Sequence, residues 1–292
     1  MKNYNTLGEL IVDYRYLNNI SQFDFAASMD VDIRSVQRWE KNITLLKSEK
    51  EIDLVKVSFL PYQLIRNLNS TNPIPTYYDF RIRKYSLSNL NNDLPNFDSI
   101  KDKMEISSEQ VQSINVVHDL PHIIQYTEYQ YNAHNIIDEQ VLKQAIILLP
   151  ELNLHLTDNL GFYAGHSIFL PITEKTHHRL RAKEITNSQL TIQDLVDYRT
   201  LAKPIFYAYS ITADSNNNVL YLGGSILKFF TNRKFEKYLY CSCTNRYDSY
   251  NLDEHLGLEL VWEEKGKHNH IFEDNYIHFY EGNFKDGFLK LG

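Results

Sequence analysis

The sequence predicts two domains of different class, an all-α domain over residues 1–70 and an α/β domain with a mixed sheet over 111–292. Three observations carry this. Leu7, Leu10, Ile11, Tyr14 and Leu17 open a run of apolar residues at helical spacing, broken at Asn18-Asn19. Past residue 111, segments rich in β-branched and aromatic residues alternate with helical patterns. Between them, 71–110 loses apolar periodicity and fills with Asn, Asp, Ser and Pro, as a polar linker does, with a short ordered piece expected around Tyr77–Tyr85. The length of 292 residues suits about two domains.

In the first domain Ser21 caps a helix through Met29, Asp30-Val31 make a tight turn, and Asp32 caps a second helix from Ile33 to Asn42. Helix, turn and helix within about 20 residues is the helix-turn-helix plan. Ala26 is small where the helices cross, Val31 and Val36 are expected between them, and Trp39 closes the small core.

In the second domain Val111–Val117 is a strand candidate, and helices are expected at 119–131 and 139–149. Residues 160–173, 204–214 and 237–245 read as strands. A helix is expected to start at Leu222-Gly223-Gly224-Ser225. A short helix after Tyr250 is expected to run through Gly257 into another strand.

Composition narrows the class. Hydrophobic residues are 43% and charged residues 23%, with a net charge of −7. That is an ordinary globular balance and excludes a chain that coats nucleic acid along its whole length, though not one small DNA-reading module. Cys241 and Cys243, one residue apart on a strand, share a face and suit packing in a reducing compartment. No apolar stretch reaches spanning length and the opening residues lack an apolar core, so no membrane partner and a cytoplasmic location are expected. The histidines (His118 and His122, His177-His178, His268 and His270) lack zinc-type spacing, so no metal is expected and they read as surface groups.

Ser21, Gln22, Phe25, Ala26, Val31, Val36, Trp39 and Glu40 stand at the spacing of the lambda repressor/Cro-like (Xre-type) helix-turn-helix family, which residues 5–68 resemble. Asp30 stands where that family uses glycine, and Asp tolerates the left-handed turn better than most residues. The resemblance implies a double-stranded DNA operator read by a homodimer. Ile33, Arg34, Gln37 and Arg38 would face the groove, while Gln22, Lys41 and Asn42 would touch phosphates. It also makes Arg15 and Glu40 an internal ion pair. Against this, residues 1–70 carry nine basic and nine acidic side chains, which leaves a protein-binding role for the same face as a competing reading.

The order of elements in 111–292 resembles the GNAT-type N-acetyltransferase fold, which implies acetyl-CoA or another acyl-CoA as cofactor or effector. Setting Leu227 on the last leucine of that family's phosphate loop puts Gly224 on its final small residue, but Leu222 on its glycine and Val219 on its basic position. The expected cofactor contacts are Ile211, Ala213, Gly223, Gly224, Ser225 and Asn245. Setting Gly257 on the glycine of the second motif puts Asp253 where that family has a tyrosine general acid. With an ordinary pKa, Asp253 is too acidic to replace it. The sequence therefore points to a DNA-binding transcriptional regulator whose GNAT-like domain is catalytically degenerate and serves sensing of a small molecule or dimerisation. The alternative is an active acetyl-CoA-dependent N-acetyltransferase with a helical targeting module.

Overall fold

The computed structural model describes residues 1–88, 110–131, 136–231, 237–266 and 276–284. By contacts the described chain divides into two compact units: residues 1–88 together with 214–216, and the remainder.

The first unit holds five short helices, α1 (Leu7–Leu17), α2 (Gln22–Ser28), α3 (Ile33–Glu40), α4 (Ser48–Ser58) and α5 (Tyr62–Leu68). Side chains start three of them. Thr6, Ser21 and Asp32 accept from the backbone amides of Glu9, Asp24 and Arg34. Asp30 adopts a left-handed backbone with φ of 49°, as the turn between α2 and α3 requires. Leu10, Ile11, Tyr14, Phe25, Val36 and Leu54 are buried, with Trp39 and Ala26 nearly so. Val31 is only half-buried. Gly8 lets α1 approach the end of α3, because a Cβ there would meet the Trp39 carbonyl oxygen at 2.6 Å.

Residues 76–88 belong to this unit and correct the expectation of a linker beginning at 71. β1 (Lys2–Tyr4), β2 (Thr76–Asp79) and β3 (Lys84–Ser86) form an antiparallel sheet in the order β1-β2-β3. Lys2 lies opposite Tyr78, and Tyr77 opposite Ser86. Pairing with the first residues of the chain supplies the order that local periodicity did not announce. The expected linker beyond 88 lies outside the described residues.

The second unit is built on a seven-stranded sheet. Its strands are β4 (Val111–Ser113), β5 (Leu154–Thr157), β6 (Tyr163–Ile172), β7 (Ile205–Ala213), β8 (Leu239–Thr244), β9 (Glu259–Lys265) and β10 (Tyr276–Gly282). They lie in the order β4-β5-β6-β7-β8-β10-β9. Every pair is antiparallel except β7–β8. This is the mixed α/β architecture expected from the sequence. Helices Leu120–Tyr131, Glu139–Leu148 and Glu174–Arg181 cover one face, over Ile168, Leu170, Tyr207 and Cys241. Helix Asn216–Thr231 covers the other, over Phe169, Phe206 and Tyr240. No described helix is long and apolar enough to cross a membrane.

Two local features shape the sheet around β7. Its register against β6 shifts between Ile168 and Phe169, a bulge that turns the residues beyond it. Its parallel pairing with β8 ends at Ala208–Ser242, while β7 continues to Ala213. The two strands part there.

Candidate functional site

Two places gather residues that could act on a partner. The first is the outer face of α3. Val36 and Trp39 anchor this helix in the core, so rotation about its axis is fixed and Arg34, Gln37 and Arg38 stand exposed. Lys41 and Asn42, just past its end, are exposed too. Among the described residues Arg34, Arg38 and Lys41 make no ion pair, which leaves three positive groups hydrated on one short segment. Ile33 is half-buried.

Behind this face lies a chain of polar contacts. The Arg15 Nε donates to Glu40 Oε1 at 2.5 Å, as the resemblance implied. Gln22 Nε2 donates to Glu40 Oε2 at 2.6 Å, and Gln37 Nε2 donates to Gln22 Oε1 at 3.4 Å. Gln22 is therefore half-buried and tied to Glu40 in the isolated protein. Asn42 has a second occupation as well, since its Oδ1 accepts from the Gly8 amide at 3.2 Å. Gln22 thus ties α2 to α3, and Asn42 ties α1 to the end of α3.

The second place is where β7 and β8 part. The resemblance set an acyl-CoA phosphate loop on Gly223, Gly224 and Ser225, and the structure corrects this. The helix begins at Asn216, so all three lie well inside it. Their amides belong to the helical ladder, and Ser225 Oγ donates back to the Tyr221 carbonyl at 3.0 Å. Helix starts bind phosphate through unclaimed amides, and these are claimed. The real strand-to-helix turn is Asp214-Ser215, followed by Asn216-Asn217-Asn218. It offers neither glycine nor a basic residue, and Asp214 opposes a diphosphate. Ala213 is buried against Leu156 and Leu222, and Ile211 packs toward the core under helix Asn216–Thr231. Asn245 follows β8 and is half-buried. Gly223, Gly224 and Ser225 therefore offer no helix-start amides to a diphosphate, while Ile211 and Ala213 lie at the end of β7 and Asn245 just past β8.

Other groups do converge around β7. His166 is fully buried between Tyr163 and Ser210, with its Nδ1 2.5 Å from the phenol and its Nε2 2.8 Å from the hydroxyl. Burial, then the nearby His155 and His122, push its pKa down to about 3. It is a neutral link in a hydrogen-bonded chain, too weak a base to take up a proton near neutral pH. His155 stacks on Tyr163 and lies 3.5 Å from Asp119. His122 and His155 are also lowered, chiefly by burial. The surface expectation therefore holds for His118 and His178, whereas His122 is half-buried and His177 buried, bonded to Glu281 at 3.1 Å. His268 and His270 lie outside the described residues. Among the described residues no three His, Cys, Asp or Glu side chains are placed to hold a metal ion. Across the parting, Arg246 donates to Thr212 Oγ1 at 3.2 Å and pairs with Asp248 through two nitrogens.

Asp253 overturns the argument from an ordinary carboxylate. Helix Tyr250–His255 carries it into a nearly dry site, where burial and then the charges of Asp248 and Glu254 raise its pKa to about 8. It holds its proton at neutral pH. Sequence reading missed this because no residue nearby in the chain announces the burial.

No known protein family matches the sequence, and no curated protein does. Solved structures offer partial likenesses. One is Arabidopsis thaliana Naa50 in complex with a bisubstrate analogue, at 9% identity, covering 59% of this chain and 97% of that one with a TM-score of 0.37. Another is the histone acetyltransferase HPA2 and related acetyltransferase of Corynebacterium glutamicum, at 12% identity, covering 59% and 96% with a TM-score of 0.33. Scores this low leave the strand order and the residues to carry the reading.

Proposed function

We propose that this chain is a DNA-binding transcriptional regulator. Its first unit is an Xre-type helix-turn-helix module, and its second a GNAT-like domain that no longer transfers acetyl groups and instead senses a small molecule or pairs two copies. The observation that carries the reading is α3. Val36 and Trp39 lock the helix, and Arg34, Gln37, Arg38 and Lys41 stand outside with no ion pair among the described residues holding a cation back. A planar guanidinium can fork onto guanine O6 and N7, and a glutamine amide onto adenine, each worth about 1–3 kcal/mol of discrimination. Lys41 would hold a phosphate. So would Gln22, whose amide the Glu40 carboxylate already aims. A single module of this size binds weakly, so a homodimer on two half-sites of a double-stranded operator is the working form, in the cytoplasm.

The acid-base balance of residues 1–70 predicts modest non-specific affinity, with discrimination resting on few contacts. The test is a binding titration of the full chain against genomic fragments, then against the selected operator, at two salt concentrations. Binding that weakens with salt, and falls about 10- to 100-fold in Arg38→Ala, is expected. Salt-independent binding, or an unaffected Arg38→Ala, overturns the reading.

One observation favours the alternative, an acetyl-CoA-dependent N-acetyltransferase with a helical targeting module. Asp253 keeps its proton where the resemblance places an acidic phenol. The strand-to-helix turn speaks against it, and calorimetry with acetyl-CoA decides. No binding at millimolar concentration is expected, and micromolar binding would restore the enzyme.

A further inference from the structure

Three imidazoles from three elements of the second unit gather beside one phenol. His155 of β5 stands directly opposite His166 of β6, and His166 opposite Thr212 of β7, so this row shares one face of the sheet. His122, in the first turn of helix Leu120–Tyr131, packs its ring on Tyr163 at 4.9 Å between centroids. His155 stacks on the same Tyr163 ring at 5.8 Å. Tyr126, one turn further along that helix, lies 5.2 Å from Tyr163 and 6.0 Å from His166. The start of the helix is therefore seated on β5 and β6 through titratable rings as well as through Leu120 and Ile123.

Matching negative charge is scarce there among the described residues. The acid acting on His122 and His155 is Asp119. Its Oδ1 lies 3.5 Å from His155 Nδ1, while its Oδ2 accepts from the Asn115 amide at 2.7 Å. The other groups facing the rings are neutral: the phenols of Tyr126 and Tyr163, the Ser210 hydroxyl, and Gln112 of β4 opposite His155. Arg246, beyond β8, adds a positive charge toward His166 and is itself paired with Asp248. A proton on His155 can be matched by Asp119. A second proton, on His122, would meet an imidazolium already present in a half-dry site, where like charges repel strongly. Burial already holds both rings below the ordinary 6.5. Water relieves that repulsion only if the start of the helix lifts, which is a local opening rather than an unfolding of the sheet.

We propose that the seat of helix Leu120–Tyr131 on β5 and β6 is a proton-released contact: acid charges His122 and His155, both packed on the Tyr163 ring, and the start of the helix then opens from the sheet. This goes beyond the regulator reading, names the proton as a signal the second unit answers, and stands whether or not α3 binds DNA. The sign follows from linkage. Both rings take up protons more readily open than closed, so closure is favoured above a pH of about 6.5 and weakens as pH falls below it. Opening gains up to about tenfold for each ring per pH unit.

The test is hydrogen exchange of the full chain at pH 8, 7 and 5.5, with rates divided by their intrinsic pH dependence. Between pH 7 and 5.5 the protection of 120–131 is expected to fall at least about tenfold, while that of β7, residues 205–213, falls much less. Replacing both rings, His122→Phe with His155→Phe, keeps their shape without their charge and should retain most of the protection at pH 5.5. Asp119→Asn removes the matching acid, so the loss should begin at a higher pH while protection at pH 8 stays as in the native chain. No fall in 120–131, an equal fall in 205–213, or an unchanged fall in the double variant overturns the proposal. Should the double variant not fold, the Asp119→Asn profile decides: a loss that moves to higher pH supports the contact, and an unmoved one overturns it.

Discussion

Arg34, Arg38 and Lys41 on and beside α3 stand in water and make no ion pair among the described residues, whereas His166, Arg246 and Asp253 beside β7 and β8 are nearly or fully dry. The first group is open to solvent with its full reach, which suits a partner that arrives as a polyanion. The second group is changed by the fold: His166 is held neutral and Asp253 is held protonated. Exposed charge is ready for a large surface and responds to salt. Buried titratable groups answer to pH instead. A chain with both can couple them only if the ligand binds two arrangements of the protein differently.

Removing the buried half of an ion pair tests the comparison hardest, because even the exposed face depends on one. Glu40→Ala leaves the Arg15 guanidinium buried and unmatched and releases Gln22. A loss of about 3–5 kcal/mol is expected, read from the urea midpoint of the transition that includes residues 1–88, together with loss of operator binding. An unchanged midpoint would mean the recognition face stands without that network.

Asp253→Asn comes next. The native pKa, near 8, lies above the ordinary 3.8, so the folded chain keeps a proton that the unfolded chain gives up. Stability therefore falls as pH rises between about 4 and 8, by up to ~1.4 kcal/mol per pH unit, and is level above. Melting curves across that window are expected to flatten in Asp253→Asn, which should be the more stable protein at pH 7. A parallel decline in both proteins would place Asp253 in water.

The mildest substitution is Ser21→Ala, which removes the α2 cap. It should cost about 1 kcal/mol and weaken DNA binding only through the population of folded α2. Smaller still is a signal that stays flat. In an NMR titration the His166 ring should not protonate between pH 8 and 5. A His166 midpoint near 6 would undo the contrast between the two regions.

Much of the first unit was legible because its determinants are local. Ser21 and Asp32 cap helices within two or three residues, Asp30 takes the left-handed turn, and Val36 and Trp39 repeat at helical spacing. The strands at 76–86 were legible only as a hint, since their partner is Lys2–Tyr4, more than seventy residues away. In the second unit the strands were visible by composition and the helix start was misplaced. Gly223-Gly224 looked like a turn, but Asn216 had already begun the helix, and Gly224 is buried inside it.

The amino-acid sequence alone determined the α2–turn–α3 segment and which side chains of α3 stay outside the core, because caps, turns and periodicity act over a few residues. Only the tertiary structure decided that the Gly-Gly pair lies inside a helix, that Gln22 is held by Glu40, and that Asp253 is buried. Burial is a property of distant segments brought together, and it sets a carboxyl's charge more strongly than its neighbours in the chain do.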